Sequence, residues 1–110
     1  METRKEVRIK KNIRILIKDD RGSYPAQVTS ISKSGMSIKT DVVFPTYKVL
    51  HVIIKIDQKM IPIKGCVRWA YEPPDDAEDQ QYQMGLSLQN PPPEYIRHYE
   101  KLATAMYGSP

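Results

Sequence analysis

Apolar residues alternate with polar ones along most of the chain, which is the period expected of strands with one buried face. The first such run, residues 12–18, places Ile13, Ile15 and Ile17 on the same side. Further runs follow, and short groups of Asp, Gly, Pro or Ser separate them, as turns require. The pattern predicts six strands, at residues 12–18, 24–32, 36–40, 47–57, 60–71 and 82–89.

The period changes after the sixth strand. Pro92 and Pro93 suit the entry to a helix, and apolar residues then recur at helical spacing until Gly108. Six strands, mostly antiparallel, can avoid open edges if the sheet closes on itself. We therefore predict a mainly β fold, a small six-stranded antiparallel β-barrel with a C-terminal α-helix. Pro62 is expected at an edge or a bulge, because it cannot donate a ladder hydrogen bond.

The composition is that of a water-soluble domain. The chain has 110 residues, of which 40% are hydrophobic and 27% charged, which fits one globular domain with a modest core. Its longest apolar runs are far shorter than the roughly 20 residues that cross a bilayer, and its first residues lack the apolar core of a secretory signal. We expect no membrane insertion. The single cysteine, Cys66, cannot form an internal disulfide, so a cytoplasmic location is expected.

The net charge of +4 is unevenly distributed. Eight basic residues lie in residues 1–22, whereas residues 72–79 carry five acids and no bases. A basic end can attract phosphates, an anionic lipid surface or an acidic partner. The alternative is that these charges only keep a small barrel soluble.

No catalytic constellation is recognisable. His51 lies in a predicted strand, where we expect it to pack, and His98 lies in the predicted helix, where we expect a solvated position. Neither has the spacing to Cys, His or Asp that a metal site needs. The acids at residues 75–79 lack the ligand spacing and central Gly of a calcium loop. We therefore expect no enzyme, no metal and no cofactor.

Two short segments point to a nucleotide instead. "RKEVR" places Arg4 and Arg8 before the first strand, and guanidinium groups can fork onto a phosphate or onto the O6/N7 edge of guanine. "SISKSG", residues 30–35, offers Ser hydroxyls and a Gly that lets a ligand approach the backbone. Either segment alone is weak evidence for a ligand site, and the second could simply form a turn between two strands. Together they indicate a guanine-nucleotide site.

The order of "RKEVR", "IRILI", "SISKSGMSI", "GCVRW" and "MGLSL" before a helix resembles the PilZ domain over nearly the whole chain. This resemblance implies a bacterial, cytoplasmic receptor for the second messenger cyclic di-GMP. It implies that Arg4 and Arg8 grip guanine and phosphate, with the segment from Ser32 to Gly35 as the facing wall. It also implies that Trp69 stacks on a guanine, although a core or rim position without ligand contact is the alternative.

The chain departs from the PilZ pattern, RxxxR followed by [D/N]xSxxG, at two positions. Ser30 stands where the family has Asp or Asn, and Thr3 stands where many members carry a further Arg. A hydroxyl cannot accept two hydrogen bonds from a guanine edge as a carboxylate does. A lost bidentate contact costs about 1–3 kcal/mol, roughly five- to 150-fold in affinity. The predicted ligand residues are Arg4, Arg8, Ser30, Ser32, Gly35 and Trp69.

Three functions follow as hypotheses. The first is a cyclic di-GMP receptor whose arm (residues 1–11) becomes ordered around the ligand on the barrel domain (residues 12–108). As a monomer or weak homodimer, it would then contact a downstream protein in motility or biofilm regulation. The second is a PilZ-like protein-interaction adaptor that does not bind nucleotide, motivated by Ser30, Thr3, the acidic loop and the Tyr-rich helix (Tyr95, Tyr99 and Tyr107). The third, a barrel that binds RNA or DNA, is not expected, because the chain lacks a solvent-side aromatic stacking platform.

Overall fold

The six predicted strands pair into a closed antiparallel barrel followed by one helix in the computed structural model, which describes residues 7–107. Around the barrel the strand order is β1-β2-β3-β6-β5-β4, and β4 pairs back onto β1. The predicted mainly β fold with a C-terminal helix is confirmed. The elements are β1 (Ile9–Asp19), β2 (Gly22–Ile31), β3 (Gly35–Thr40), β4 (Val49–Ile56), β5 (Lys59–Tyr71), β6 (Tyr82–Gln89) and α1 (Pro93–Tyr107).

Inward-facing residues of all six strands fill the barrel. Strand β4 shows the alternation most clearly, since Leu50, Val52, Ile54 and Ile56 are buried while the residues between them are exposed or half-buried. Helix α1 adds two aromatic rings to this core, Tyr95 and Tyr99. In the part of the chain that the structure describes, no helix combines the length and the apolar character that crossing a membrane would need.

Strand β1 begins at Ile9, three residues earlier than the apolar pattern predicts. Its pairing with β2 shifts register between Lys10 and Ile13, and residues 10–12 are all exposed. A bulge of this kind interrupts the alternation of buried and exposed residues, so the sequence pattern resumes only beyond it. The boundary between arm and barrel domain stays a prediction.

The connections around β4 also differ from the prediction by one or two residues. Tyr47 has a φ of 74°, in the left-handed region, and the amide of Lys48 donates to the Pro45 carbonyl, so a turn precedes β4. The β4–β5 turn consists of Asp57 and Gln58, both with positive φ (51° and 69°). Two successive positive φ values are what a tight hairpin turn requires.

Both prolines within strands lie where the strand has a neighbour on one side only. Pro62 of β5 pairs with Ile53 of β4, and pairing with β6 starts only at Lys64. Pro25 of β2 pairs with Leu16 of β1, just before the β2–β3 pairing begins. A residue without an N–H is tolerated at such a position, as predicted for Pro62.

Candidate functional site

The segment that joins β2 to β3, residues 32–35, forms a tight turn that we call the hinge. The amide of Ser32 donates to the Gly35 carbonyl at 2.8 Å, and the Ser32 hydroxyl donates to the same oxygen at 3.3 Å. A Cβ at Gly35 would lie 2.9 Å from the backbone oxygen of Leu86, on β6. Glycine is therefore needed here for a close approach between strands.

The hinge is held from two further directions. The carbonyl of Ser34 accepts a hydrogen bond from the Leu88 amide of β6 at 2.8 Å. The hydroxyl of Tyr95 donates to the Ser32 carbonyl at 2.7 Å and lies 3.3 Å from the Gly35 carbonyl. Tyr95 is completely buried, so the hinge is fixed to the core and not only to its own strands.

Arg8 lies beside the hinge, directly before β1. Its guanidinium donates to three hydroxyls, those of Ser30 (3.4 Å), Ser32 (3.5 Å) and Ser37 (3.2 Å). Ser30 and Ser37 face each other across the β2–β3 pair, which explains how one side chain reaches both. All three bonds are at or beyond the long end of the usual range, and their acceptors are neutral. Arg8 is thus placed at the hinge by weak bonds that an anionic acceptor could replace.

A cleft of about 540 Å³ opens between Arg8 and the hinge on one side and strands β5 and β6 on the other. Trp69, Arg68 and Gly85 belong to the second side. Among the described residues that line it there are two arginines and no Asp or Glu. The volume lies within the roughly 300–1,000 Å³ of small-molecule sites, and the two cations favour an anionic ligand.

Trp69 lies at the rim of this cleft. Its side chain is 45% exposed, so it is not a core tryptophan. The β5–β6 pairing shifts register between Val67 and Trp69, and such a bulge re-aims the side chains next to it. An aromatic ring that is exposed at the rim of a cleft can stack on a base.

The structure brings together five of the six predicted site residues. Arg8, Ser32, Gly35 and Trp69 line the cleft, and Ser30 contacts Arg8 without lining the cleft itself. The sixth residue, Arg4, lies outside the described residues. The predicted site lacks five residues that line the cleft or hold its parts: Ser37, Arg68, Gly85, Tyr95 and Tyr99. The first three lie within the motifs "SISKSGMSI", "GCVRW" and "MGLSL", which are the only signal for them in the sequence.

Tyr95 and Tyr99 of α1 do not contribute to the exposed partner surface that the Tyr-rich sequence suggested, and the side chain of Tyr107 lies outside the part of the chain that the structure describes. Tyr95 is buried, and Tyr99 is only 7% exposed. The Tyr99 hydroxyl donates to the carbonyl of Val7 at 2.6 Å. The prediction was wrong for these two residues because a helix that follows a small barrel supplies part of its core.

A second, larger groove of about 740 Å³ lies between α1 and the β4–β5 turn, and none of the predicted site residues line it. Asp57, Lys59, Arg97 and His98 are among its lining residues, so its charges are mixed. His98 is half-buried, whereas we expected a solvated position, and this burial lowers the pKa of its imidazole.

His51 is exposed, so the expectation that it packs was wrong. Within residues 7–107, no three His, Cys, Asp or Glu side chains lie close enough to hold a metal ion.

Several solved structures share this fold. The inhibitor of motility MotI/DgrA of Bacillus subtilis has a TM-score of 0.77 at 15% identity, with 96% of this chain and 52% of that chain covered. The MrkH–c-di-GMP complex of K. pneumonia has a TM-score of 0.72 at 14% identity, with 96% and 53% covered. The PilZ domain of YcgR from Escherichia coli, solved with c-di-GMP, has a TM-score of 0.65 at 12% identity, with 96% and 97% covered.

This chain therefore spans about half the length of MotI/DgrA and MrkH and nearly the whole of the YcgR domain. Among curated proteins, none matches the chain. The family model of the PilZ domain matches residues 2–105, which include both segments that pointed to a nucleotide. The chain belongs to the PilZ domain family.

Proposed function

We propose that this protein is a receptor for cyclic di-GMP, which binds in the cleft between Arg8, the hinge and Trp69. The family and its neighbours support this ligand, because the MrkH and YcgR structures are both described with c-di-GMP. The observation that carries the proposal is the position of Arg8. Three weak bonds to serine hydroxyls place its guanidinium at a cleft that has an exposed indole on its other side.

The chemistry of the cleft fits a guanine nucleotide. A guanidinium forms stronger, charge-assisted bonds to a phosphate than to a hydroxyl, and it can also fork onto guanine O6 and N7. Arg8 can therefore exchange its serine partners for the ligand. Trp69 offers a ring face for a base, and Arg68 adds a second cation to the same cleft.

Arg4 is proposed to close the site from the arm. Three residues of extended chain span about 10 Å, so the Cα of Arg4 can lie anywhere within that distance of the Val7 Cα. Binding would then order the arm around the ligand, as a disorder-to-order switch does. The ordered arm would present a new surface to a downstream protein, in motility or biofilm regulation, with the receptor acting in the cytoplasm as a monomer or weak homodimer.

The nucleotide-independent adaptor is the second candidate, and Ser30 is the observation that favours it. Its hydroxyl is one of the three acceptors that place Arg8, at 3.4 Å from Nε. A carboxylate there would hold the guanidinium much more firmly. If the hydroxyl holds Arg8 too loosely for ligand binding, only the protein contacts of the domain remain.

An NMR titration of the ¹⁵N-labelled chain with cyclic di-GMP distinguishes the two candidates. The receptor predicts amide shifts at Arg8, at the hinge and at the Trp69 indole N–H. Arg21 and Gly22, at the β1–β2 turn and not among the residues that line the cleft, serve as the internal control and should not shift. No shifts at high micromolar ligand would favour the adaptor, and shifts confined to the larger groove would place the ligand elsewhere.

A further inference from the structure

Two tyrosine hydroxyls of α1 hold the hinge and the residue before Arg8, which lie on the same side of the cleft. Tyr95 bonds to the carbonyl of Ser32 in the hinge, across 63 positions in the sequence. Tyr99 bonds to the carbonyl of Val7, the residue before Arg8, across 92 positions. Residues four apart on a helix share one face, so one face of α1 reaches both the hinge and the arm.

Both contacts have the geometry of strong hydrogen bonds. The O···O distances of 2.7 Å for Tyr95 and 2.6 Å for Tyr99 are at or just below the commonest distance for hydroxyl donors. Both rings belong to the core, with exposures of 0% and 7%. The rings therefore account for the packing of α1, while the hydroxyls bond to the backbone on either side of Arg8, at Ser32 of the hinge and at Val7.

We infer that Tyr99 is a positioning residue for the nucleotide site. This inference rests on the proposed function and assigns a role in it to α1. The Tyr99 bond fixes the peptide group that leads directly into Arg8, and it sets the point from which the rest of the arm starts. Without that bond, ligand binding would also have to order the backbone of Val7 and Arg8, and ordering backbone opposes binding.

The coupling must also act in the opposite direction. If the Tyr99–Val7 bond favours ligand binding, then ligand binding favours the bond by the same factor, because linkage is reciprocal. A nucleotide that holds the arm therefore also holds α1 against the barrel. Arg97 and Lys101 of the same helix line the larger groove. Helix α1 thereby connects the cleft with a surface that the ligand does not touch.

The first test compares Tyr99→Phe with Tyr47→Phe, since both remove one hydroxyl and keep the ring. Tyr47 is 72% exposed and does not line the cleft, so it is the matched control. We expect calorimetry to show that Tyr99→Phe binds cyclic di-GMP about fivefold more weakly, which is the typical effect of losing one hydrogen bond. Tyr47→Phe should bind like the unmodified chain. Equal affinity of all three proteins would overturn the inference.

A second readout requires no nucleotide and separates positioning from general destabilisation. In Tyr99→Phe, the ¹H–¹⁵N heteronuclear NOE of Arg8 should fall while the hinge amides keep their values. In Tyr95→Phe, the hinge amides should change and Arg8 should not. This result would stand even if cyclic di-GMP did not bind, whereas an unchanged Arg8 in Tyr99→Phe would overturn the inference independently of the ligand.

If Tyr99→Phe does not fold, the unmodified chain provides the test through the reverse coupling. Amide hydrogen exchange in the last two turns of α1 should slow when cyclic di-GMP is added. Exchange that is unchanged with the cleft saturated would show that α1 and the site are not linked.

Discussion

The indole ring of Trp69 lies directly against the backbone of Gly85, its partner on the neighbouring strand. A Cβ at position 85 would overlap with Nε1 and the adjoining ring carbons. No other residue leaves room for the ring in this position. The glycine of "MGLSL" therefore places an aromatic ring at the rim of the cleft, which its sequence context alone does not reveal.

Gly85→Ala should displace the indole and weaken nucleotide binding. The strand continues through position 85, so the main cost is local overpacking, typically about 1–3 kcal/mol of stability. Trp69 is the only tryptophan of the chain, so its fluorescence emission reports the displacement directly. Gly22→Ala is the control, because its Cβ would meet the Tyr24 hydroxyl at an ordinary 3.7 Å. An unchanged emission spectrum in Gly85→Ala would contradict the assignment.

Trp69→Ala should weaken cyclic di-GMP binding through loss of stacking. Stacking of a base on an aromatic ring contributes about 1–3 kcal/mol, which corresponds to roughly five- to 150-fold in affinity. Trp69→Phe should retain most of the affinity, because a ring face remains. Tyr71→Ala, an exposed aromatic two residues further along β5, controls for general effects on the strand. Trp69→Ala with the affinity of the unmodified chain would mean that the indole only borders the site.

Ser30→Asp should strengthen cyclic di-GMP binding. The Ser30 hydroxyl lies 3.4 Å from Arg8 Nε, and a carboxylate there would form a charge-assisted bond that orients the guanidinium. Ser30→Asn keeps the acceptor without the charge and should lie between the two in affinity. Calorimetry of both variants at two salt concentrations separates the effect of the added acceptor from that of the added charge. Weaker binding by Ser30→Asp would show that the carboxylate competes with the ligand for Arg8.

Stability should fall as the pH is lowered through the range in which His98 titrates. Burial holds the pKa of His98 below its ordinary value of 6.5, although the nearby Asp57 opposes the shift. As the pH falls below 6.5, the unfolded chain takes up this proton before the folded chain does, so protonation favours unfolding. The loss ends once the pH is below the folded-state pKa. Urea midpoints at pH 8 and pH 5.5 should differ less in His98→Gln than in the unmodified chain; an equal difference would contradict the account.

The strands were predictable because one face of each strand packs in the barrel core and the other faces solvent. Alternation predicted all six strands, with the bounds of β6 correct and the starts of β1, β2 and β4 displaced by two or three residues. For β1 and β4 the displacement occurs where a bulge or a left-handed residue breaks the alternation, as at Tyr47. The order of strands around the barrel depends on pairing between segments that are distant in the sequence. The alternation of apolar and polar residues does not indicate which segments pair.

The site was predictable only where a motif carries it. Arg8, Ser32 and Gly35 follow from the resemblance to the PilZ domain. The contact of Ser37 with Arg8 depends on strand register, and that of Tyr99 with Val7 depends on helix packing. Neither contact can be inferred from one sequence. The Tyr-rich helix illustrates the limit, because the burial of Tyr95 and Tyr99 reverses the interpretation that the abundance of tyrosine suggests.

The most direct measurement is calorimetric titration of cyclic di-GMP into the unmodified chain, Arg8→Ala and Arg14→Ala. Arg14 is an exposed residue of β1 that does not line the cleft, so it matches the loss of charge without touching the site. The account predicts binding to the unmodified chain and to Arg14→Ala, and no measurable heat with Arg8→Ala at high micromolar ligand. No heat with the unmodified chain, or equal binding by Arg8→Ala, would contradict it.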